Sequence, residues 1–374
     1  MNSQRFIGLM SGTSMDAIDG VIAEFSAHKI QTIASQQLAM PPTLRELLLN
    51  LAQNTSVTWQ DLARADHTLG QLFAQTVNEL LRAHNIDPRN ITAIGSHGQT
   101  VFHDPNSSSP TSYQLGDPNV IAELTGITTV ADFRRRDIAA AGQGAPLVPA
   151  FHHAAFASSD HRRVIVNIGG MANITVLPDA NLDNVFGFDT GPGNVLMDLW
   201  SQQHLGVSFD ENGRWAAGGI VNQRLLTDLL REPYFAKAPP KSTGRELFKP
   251  TWLQQHLQRH QLATPSAKLA QDIQATLCEL TAVSIVDAIA QCAARTDEIF
   301  LCGGGAYNHH LTARLHALAK VPVRSTAELG IDPQHVEAIA FAWLAKQRIE
   351  HRHGNLPKVT GAKHGSVLGG IYQA

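Results

Sequence analysis

One design recurs four times along the chain, namely an apolar strand that ends in a turn of small residues. Glycines let consecutive backbone N–H groups approach a phosphate closely, and such amides form anion-binding concavities. A single glycine pair after a strand is usually no more than a tight turn. Four such turns at comparable strand ends, two of them carrying Asp and Thr, predict a protein that binds phosphate groups. The turns lie in residues 8–20, 167–173, 188–194 and 301–306.

The order of strand-like and helix-like segments predicts the domain organisation. Strands and helices alternate, which is typical of an α/β fold. The 374 residues suggest two domains at roughly 150 residues each. Each half opens with a strand, a glycine turn and further strands before it changes to helices, so the halves repeat one pattern. We place the first domain at residues 1–157 and the second at 158–374, with an insertion around 202–265 and a last segment able to pack back on the first domain.

Charge and composition argue against several classes of protein. The 29 Lys and Arg residues against 32 Asp and Glu leave a net charge of −3, which does not suit nucleic-acid binding through bulk positive charge. No apolar run approaches the roughly 18 residues of a membrane helix, and the N-terminus is not typical of a signal peptide. Three cysteines, Cys278, Cys292 and Cys302, do not suggest a disulfide framework. We expect a cytoplasmic protein with no nucleic-acid partner, no membrane partner and no structural metal.

A set of motifs in one order carries a resemblance to a known family. Residues 12–16, Gly-Thr-Ser-Met-Asp, together with the two-half pattern, resemble the ATPase superfamily that contains actin, the sugar kinases and the heat-shock chaperones. The wider set resembles the anhydro-N-acetylmuramic acid kinase family, from residue 8 to beyond residue 340. Ala17 stands where that family commonly has glycine, which is a modest change if the position is helical. The motifs are GLMSGTSMD, SHGQTVFH, the segment 114–149, VNIGGMANIT, FDTGPGN, PPKSTGRE, CGGGAYN and EAIAFA.

The resemblance implies a fold and a reaction. The fold is two actin-like (ribonuclease H-like) domains, with ATP and substrate in the interdomain cleft. The reaction takes 1,6-anhydro-N-acetylmuramic acid, ATP and water, with Mg²⁺, to N-acetylmuramic acid 6-phosphate and ADP in peptidoglycan recycling, and a homodimer is suggested. Another small-molecule kinase of the same superfamily is the first alternative, and it would phosphorylate a free hydroxyl without using water. A non-catalytic sugar or nucleotide sensor is the second alternative.

The candidate nucleotide-binding residues lie in three of the glycine turns. By the resemblance, the first turn holds the β- and γ-phosphates, the second forms a further phosphate loop, and the third lies near the ribose or adenine. Carboxylates near such turns hold Mg²⁺ through water, because Mg²⁺ keeps several of its waters, and we assign Asp16 and Asp189 to it. The candidates are Gly12, Thr13, Ser14, Met15, Asp16, Ala17, Ile18 and Asp19, then Gly169, Gly170 and Asn173, then Gly303, Gly304 and Gly305.

The candidate catalytic and sugar-binding residues follow from the chemistry of an anhydro sugar. Its O6 is tied to C1, so water must attack C1 while O6 moves to the γ-phosphorus, and one general base must activate the water. We choose Asp189, which follows the strand predicted over 185–188. The lactyl carboxylate of the sugar calls for an arginine in bidentate geometry, and Arg134 is the candidate. The remaining sugar-binding candidates are His97, Gln99, Thr100, Gly191 and Glu337.

Each of these residues also has an ordinary structural interpretation. Asp189 would then cap the helix that follows it. Arg134 would pair with Asp132 or Asp137. His97 would be a hydrogen-bonded core histidine, and Glu337 an ordinary residue of an Ala-rich helix.

Overall fold

The computed structural model describes residues 3–12, 15–26, 29–54, 56–239, 241–244, 247–293 and 295–374. The strands, numbered in chain order, are β1 (Gln4–Ser11), β2 (Ala17–Phe25), β3 (Ile30–Ala39), β4 (Ala93–Ser96), β5 (Gln99–Asp104), β6 (Thr111–Leu115), β7 (Thr129–Ala131), β8 (Arg163–Ile168), β9 (Met171–Leu177), β10 (Phe186–Pro192), β11 (Glu298–Cys302), β12 (Val323–Ser325) and β13 (Gly370–Tyr372). The helices are α1 (Pro42–Gln53), α2 (Trp59–Ala83), α3 (Pro118–Thr125), α4 (Phe133–Ala139), α5 (Val148–Phe156), α6 (Val195–Leu205), α7 (Arg214–Ala217), α8 (Gln223–Leu229), α9 (Pro233–Ala236), α10 (Pro250–Arg259), α11 (Ala267–Cys292), α12 (His309–Ala319), α13 (Val336–Ile349) and α14 (Pro357–Thr360).

The chain divides into two compact units. Unit 1 comprises Met1–Ala155 with His335–Ala374, and unit 2 comprises Phe156–Gln334. The last segment, assigned above to the second domain, is therefore grouped with the N-terminal part of the chain. Its helix α13 packs directly on the sheet of unit 1, because Gly8 has no side chain there. A Cβ at Gly8 would overlap the carbonyl oxygen of Ala338.

Unit 1 is built on a six-stranded sheet. Its strand order is β13-β7-β4-β1-β2-β3. Strand β2 pairs antiparallel with β1 and β3, whereas β1 pairs parallel with β4, and β4 with β7. Side chains alternate across a strand, so Ile7 and Leu9 enter the apolar core with residues of α1 and α2, while Gly8 faces α13. The sheet is therefore covered by helices on both faces.

Unit 2 is built on a five-stranded sheet of order β10-β9-β8-β11-β12. Strand β9 pairs antiparallel with β8 and β10, whereas β8, β11 and β12 run parallel. The core of this unit is centred on α11, whose residues Ile273, Leu277 and Leu280 are almost fully buried. Helix α11 is long and apolar enough to cross a membrane by length and composition, but most of it is buried inside the protein. The buried core helix of a globular protein can have the same length and apolar composition, and the burial of α11 explains its continuous apolar sequence.

The two large sheets share one topology. Counted from the first strand of each sheet in sequence, both have the order third, second, first, fourth, fifth, with the second strand antiparallel to its neighbours. This is the arrangement of the ribonuclease H-like, actin-like fold. The predicted α/β class and the predicted repeat of one pattern in two halves are confirmed. Unit 1 adds β13 at the edge of this arrangement, beside β7.

Several local predictions are wrong. The polar, Pro- and Ser-rich composition of residues 104–112 predicts an exposed loop, but the two ends of this segment belong to the separate hairpin of β5 and β6. The charged run after residue 133 forms α4, which the sequence did not predict. Strand β10 does not end before Asp189 but continues through it to Pro192. Ala17 begins β2 opposite Ala39 and is not helical, so a methyl group is accepted there in extended backbone.

Candidate active site

The first glycine turn joins β1 to β2. Met15 has a φ of 55° and its N–H donates to the carbonyl oxygen of Gly12 at 3.1 Å, while its side chain is buried in the core of unit 1. No described atom lies within 4 Å of the place where a Cβ of Gly12 would stand. The backbone at Gly12 is therefore open to a ligand. Thr13 and Ser14 lie outside the described residues.

The residues that follow this turn differ in their surroundings. The exposed carboxylate of Asp16 lies 3.1 Å from Nε of Arg45. Ile18 is fully buried, so its side chain is a core group. Asp19 accepts a hydrogen bond from Nε2 of Gln37 at 2.8 Å, and burial raises the pKa of its carboxyl. Asp16, one of the two carboxylates predicted to hold a metal through water, is therefore exposed and paired with Arg45.

The second glycine turn joins β8 to β9 and forms backbone hydrogen bonds with the residues just before α6. The carbonyl oxygen of Gly169 accepts the N–H of Asn194 at 2.8 Å, and that of Gly170 accepts the N–H of Gly193 at 2.9 Å. Asn173 lies in β9, directly opposite Asp189 in β10. The antiparallel register therefore brings together Asn173 and Asp189, two residues that were predicted separately.

The third glycine turn follows β11. Gly303 has a φ of 78°, and a Cβ there would overlap the side-chain oxygen of Asn167, so the position requires glycine. At Gly304 no described atom lies within 4 Å of a Cβ position, whereas Gly305 packs on Ile168. Because β8 and β11 are parallel neighbours and β10 is antiparallel to β9, the glycine turns of unit 2 meet at one end of its sheet.

Asp189 lies at this end, within a bulge of β10. The register shifts between Asp189 and Gly191, and Gly191 has a φ of 146° beneath the ring of Phe235, whose nearest carbon would be 2.6 Å from a Cβ. The carboxylate of Asp189 accepts the N–H of Thr243 at 3.1 Å. Helix α6 instead begins after Asn194, so the structure does not support the interpretation of Asp189 as a helix cap.

In unit 1 the sugar-binding candidates surround Arg134. Its guanidinium donates to Nε2 of His97 at 2.8 Å and to the carbonyl oxygen of Gly144 at 2.8 Å. A guanidinium has no acceptor, so Nε2 is the acceptor and the ring is neutral. Burial first, and then the charge of Arg134, hold the pKa of His97 well below its usual range. Burial lowers the pKa of Arg134 to about 10, against the opposing charges of Glu337 and Asp137.

These contacts decide between the interpretations of Arg134. Asp132 pairs with Arg135 at 2.7 Å, and Asp137 accepts the N–H of Gly144 at 2.8 Å. The guanidinium of Arg134 instead contacts His97, and Glu337 acts on it through charge. The structure therefore brings together three of the residues that sequence reasoning chose for the sugar.

Two further sugar-binding candidates, Gln99 and Thr100, lie at the start of β5 in unit 1. Oε1 of Gln99 accepts the hydroxyl of Ser11, the last residue of β1, at 2.7 Å. The hydroxyl of Thr100 accepts Nε2 of Gln114 at 3.1 Å. The backbone N–H of His97 donates to the carbonyl oxygen of Leu9 at 3.0 Å. The end of β4 and the start of β5 are thus tied to the end of β1.

Within the part of the chain that the structure describes, no group of three or more His, Cys, Asp or Glu residues is placed to hold a metal ion. Each unit, taken by itself, has a glycine turn at which no described atom lies near an added Cβ, at Gly12 in unit 1 and at Gly304 in unit 2.

Sequence reasoning gave no role to three residues that contact Asp189. The carbonyl oxygen of Lys241 accepts the N–H of Asp189 at 3.3 Å. Thr243 donates its N–H to the carboxylate, and the hydroxyl of Tyr234 donates to the Asp189 carbonyl oxygen at 2.6 Å. Thr243 belongs to the motif PPKSTGRE, which was noted as part of a resemblance but given no role. The motif was the only signal in the sequence, because nothing in its spacing says where it folds. Pro240, Arg245 and Glu246 of this motif lie outside the described residues.

Two sheets of actin-like topology, glycine turns gathered at strand ends and a carboxylate among those turns define a phosphotransferase of the actin-like ATPase class. A family model described as anhydro-N-acetylmuramic acid kinase matches residues 4–374. The chain belongs to the anhydro-N-acetylmuramic acid kinase family, and it is a kinase.

Curated relatives with this name align along nearly their whole length. The protein of Pasteurella multocida (strain Pm70) is 50% identical over 370 residues, covering 98% of this chain and 96% of its own. That of Photobacterium profundum is 50% identical over 382 residues, covering 100% of both chains. That of Coxiella burnetii (strain RSA 493 / Nine Mile phase I) is 48% identical over 373 residues, covering 100% of this chain and 98% of its own.

One solved structure that is similar to this chain shows a loose likeness. An activator of 2-hydroxyisocaproyl-CoA dehydratase from Clostridium difficile covers 93% of this chain and 96% of its own at 13% identity, with a TM-score of 0.48. No argument rests on that likeness, because the strand order alone assigns the fold.

Proposed function

We propose that this chain takes 1,6-anhydro-N-acetylmuramic acid, ATP and water to N-acetylmuramic acid 6-phosphate and ADP. The observation that carries the proposal is the Asp189 carboxylate, held in a bulge of β10 among the glycine turns of unit 2. Membership of the family supports the choice of substrate. The role of the reaction in peptidoglycan recycling is part of the same proposal.

The anhydro bridge decides which groups the reaction needs. Because O6 is bonded to C1, the sugar has no free 6-hydroxyl to phosphorylate. Water attacks C1, Asp189 takes the proton of the water, and the C1–O6 bond breaks. O6 then bonds the γ-phosphorus as the bond from phosphorus to ADP breaks. The incoming phosphoryl group receives the departing oxygen, so one base suffices, and such a base contributes about 10²–10⁴-fold in rate.

The glycine turns supply the phosphate-binding groups of the proposal. Backbone N–H groups at open glycines stabilise the charge of a triphosphate without a side chain in the way. Gly12 and Gly304 have this open geometry. Mg²⁺ would neutralise phosphate charge, and Asp16 and Asp189 are the residues proposed to hold it through water. The ion pair of Asp16 with Arg45 means that Asp16 already has a cationic neighbour.

The group around Arg134 supplies recognition of the sugar. His97 and Gly144 fix the guanidinium in place, so its remaining N–H donors are oriented in advance. A fixed, always protonated guanidinium binds a carboxylate such as the lactyl group with little loss of side-chain freedom. We assign hydrogen bonds to the sugar hydroxyls and N-acetyl group to Gln99, Thr100, Gly191 and Glu337.

A homodimer in the cytoplasm completes the proposal. All three cysteines of the chain lie within the described residues, and none forms a disulfide. Thiols that stay reduced are usual in a reducing compartment.

The test is a product analysis in H₂¹⁸O. Purified wild-type protein, Asp189→Asn and the control Asp160→Asn, an exposed aspartate beyond the other end of β8, are each incubated with MgATP and the anhydro sugar. ³¹P NMR and mass spectrometry then identify the product. We expect a sugar 6-phosphate with ¹⁸O at C1 from the wild type and from Asp160→Asn, and at least about 10²-fold less from Asp189→Asn.

Two outcomes contradict the proposal in different ways. Phosphorylation of a free-hydroxyl sugar, with no loss of the anhydro sugar, excludes the substrate and leaves a kinase. An Asp189→Asn variant with wild-type turnover keeps the reaction and excludes Asp189 as the base.

A further inference from the structure

The carboxylate of Asp189 is held by residues 241–243, which lie more than 50 positions later in the sequence. The N–H of Asp189 donates to the carbonyl oxygen of Lys241 at 3.3 Å, and Oδ2 of Asp189 accepts the N–H of Thr243 at 3.1 Å. Both bonds involve backbone groups of the segment. The position of residues 241–243 relative to the carboxylate is therefore set by the fold and not by a flexible side chain.

The same segment also contacts α9, the short helix that precedes it in the chain. Nζ of Lys241 donates to the carbonyl oxygens of Tyr234 at 3.3 Å and Phe235 at 3.2 Å. It also lies 4.9 Å from the centre of the Tyr234 ring. Tyr234 is buried, and its hydroxyl donates to the carbonyl oxygen of Asp189. Tyr234, Phe235, residues 241–243 and the bulge of β10 thus form one hydrogen-bonded arrangement.

One polar group in this arrangement has no hydrogen-bond partner among the residues that the structure describes. The hydroxyl oxygen of Thr243 is buried, and no described residue forms a hydrogen bond with it. A buried hydroxyl without a partner lowers stability, and its replacement by an apolar group of the same shape is neutral or stabilising. A stability argument alone would therefore favour valine at this position, next to the N–H that holds the carboxylate.

The proposed reaction needs a group of this kind. A water molecule that attacks C1 points a lone pair at the carbon, so both of its hydrogens point at acceptors. Asp189 is one acceptor and takes the proton. We propose that the hydroxyl oxygen of Thr243 is the other acceptor, and that Thr243 is a catalytic residue that orients the attacking water. This inference rests on the proposed function, and Thr243 keeps its own proton throughout.

The test compares four chains in the same assay, the wild type, Thr243→Val, Thr243→Ser and Thr296→Val. Thr296 is the matched control, because its hydroxyl in unit 2 is also buried without a described partner, and it lies before β11, at the end opposite to the glycine turns. Steady-state rates with the anhydro sugar and MgATP give kcat and KM, and thermal melting gives stability.

The expected pattern separates catalysis from structure. Thr243→Val lowers kcat about ten-fold, the usual effect of one lost hydrogen bond, while KM for ATP and the melting temperature stay near the wild-type values. Thr243→Ser restores kcat to within about three-fold of the wild type, because serine keeps the hydroxyl. Thr296→Val behaves as the wild type in both measurements.

Three results overturn the inference. A Thr243→Val chain with the wild-type kcat shows that the hydroxyl has no part in the step. A larger loss in the Ser variant than in the Val variant shows that packing of the methyl group, not the hydroxyl, matters, because valine keeps that methyl group and serine does not. A wild-type chain that leaves the anhydro sugar intact overturns the proposed function and the role of Thr243 together, whereas the first two results leave the proposed function in place.

Discussion

The carboxylate of Asp137 offers the sharpest prediction about stability. Asp137 is fully buried on α4 and accepts three hydrogen bonds. The donors are the N–H of Gly144 at 2.8 Å, Nδ2 of Asn355 at 2.5 Å and the hydroxyl of Thr360 at 2.8 Å. One side chain therefore connects α4, the loop that carries Gly144 and the C-terminal segment of the chain.

The substitution Asp137→Ala removes both acceptor oxygens of the carboxylate, and with them the three hydrogen bonds from buried donors. Each unsatisfied donor costs about 1–3 kcal/mol, and with water entering part of the space we take about 3 kcal/mol in total. For a unit of this size, 1 kcal/mol lowers the melting temperature by roughly 2–4 °C. The expected decrease is therefore about 6–12 °C.

Differential scanning fluorimetry measures this decrease, and limited proteolysis shows whether residues near Asn355 become accessible. The control is Asp132→Asn, since the exposed pair of Asp132 with Arg135 contributes only about 0–1 kcal/mol. Because the carbonyl oxygen of Gly144 also accepts Arg134, KM for the sugar should rise in Asp137→Ala. A melting temperature within about 2 °C of the wild type, with unchanged proteolysis, would refute the assignment of Asp137 as the connecting group.

Two further predictions concern acid stability and the third glycine turn. Burial lowers the pKa of His97 well below its usual range and that of His152 to about 3, so below about pH 6.5 the unfolded chain binds protons that the folded chain does not. Stability should fall with pH below 6.5, by up to about 1.4 kcal/mol per pH unit for each histidine, and equal urea midpoints at pH 7 and pH 5 would contradict this. Gly303→Ala should cost about 1–3 kcal/mol, since its φ is positive and a Cβ would overlap Asn167. Gly304→Ala, which meets open space, should melt as the wild type and raise only KM for ATP; similar melting temperatures for the two variants would show that the geometry of Gly303 does not demand glycine.

Much of the fold was predictable, because a helix or strand with one buried face has apolar residues at regular spacing in its sequence. Apolar residues recur at three- and four-residue spacing over 58–84, which predicts one long helix, and the structure has a helix at Trp59–Ala83 whose cap, Thr58, accepts the N–H of Asp61 with its side chain. The sequence likewise predicts a long helix over 267–294, and the structure has one at Ala267–Cys292. The hairpin of β5 and β6 was missed, because its polar, Pro- and Ser-rich connection has the composition of a loop while the pairing lies in its two ends.

The candidate site was predictable where a turn follows a strand. Glycines and carboxylates at strand ends are visible in the sequence, and the register of β9 and β10 places Asn173 opposite Asp189 as parts of one site. The sequence did not decide the backbone conformation of Ala17, which lies in β2, because a small residue after a glycine turn suits a strand as well as a helix. Helix α4 was not predicted, because its run of charged residues lacks the regular spacing of apolar residues that indicates a helix.

The sequence by itself determined the α/β alternation, the two-half pattern, the glycine turns and the family, because each is written in neighbouring residues. Only the tertiary structure decided that Thr243 holds the carboxylate of Asp189, that Arg134 contacts His97, and that the C-terminal segment is grouped with the first part of the chain. These pairs lie tens of residues apart, and their contact depends on how buried faces pack and how strands register. The spacing of apolar residues indicates which face of a helix or strand is buried, but it does not indicate which other element packs against that face.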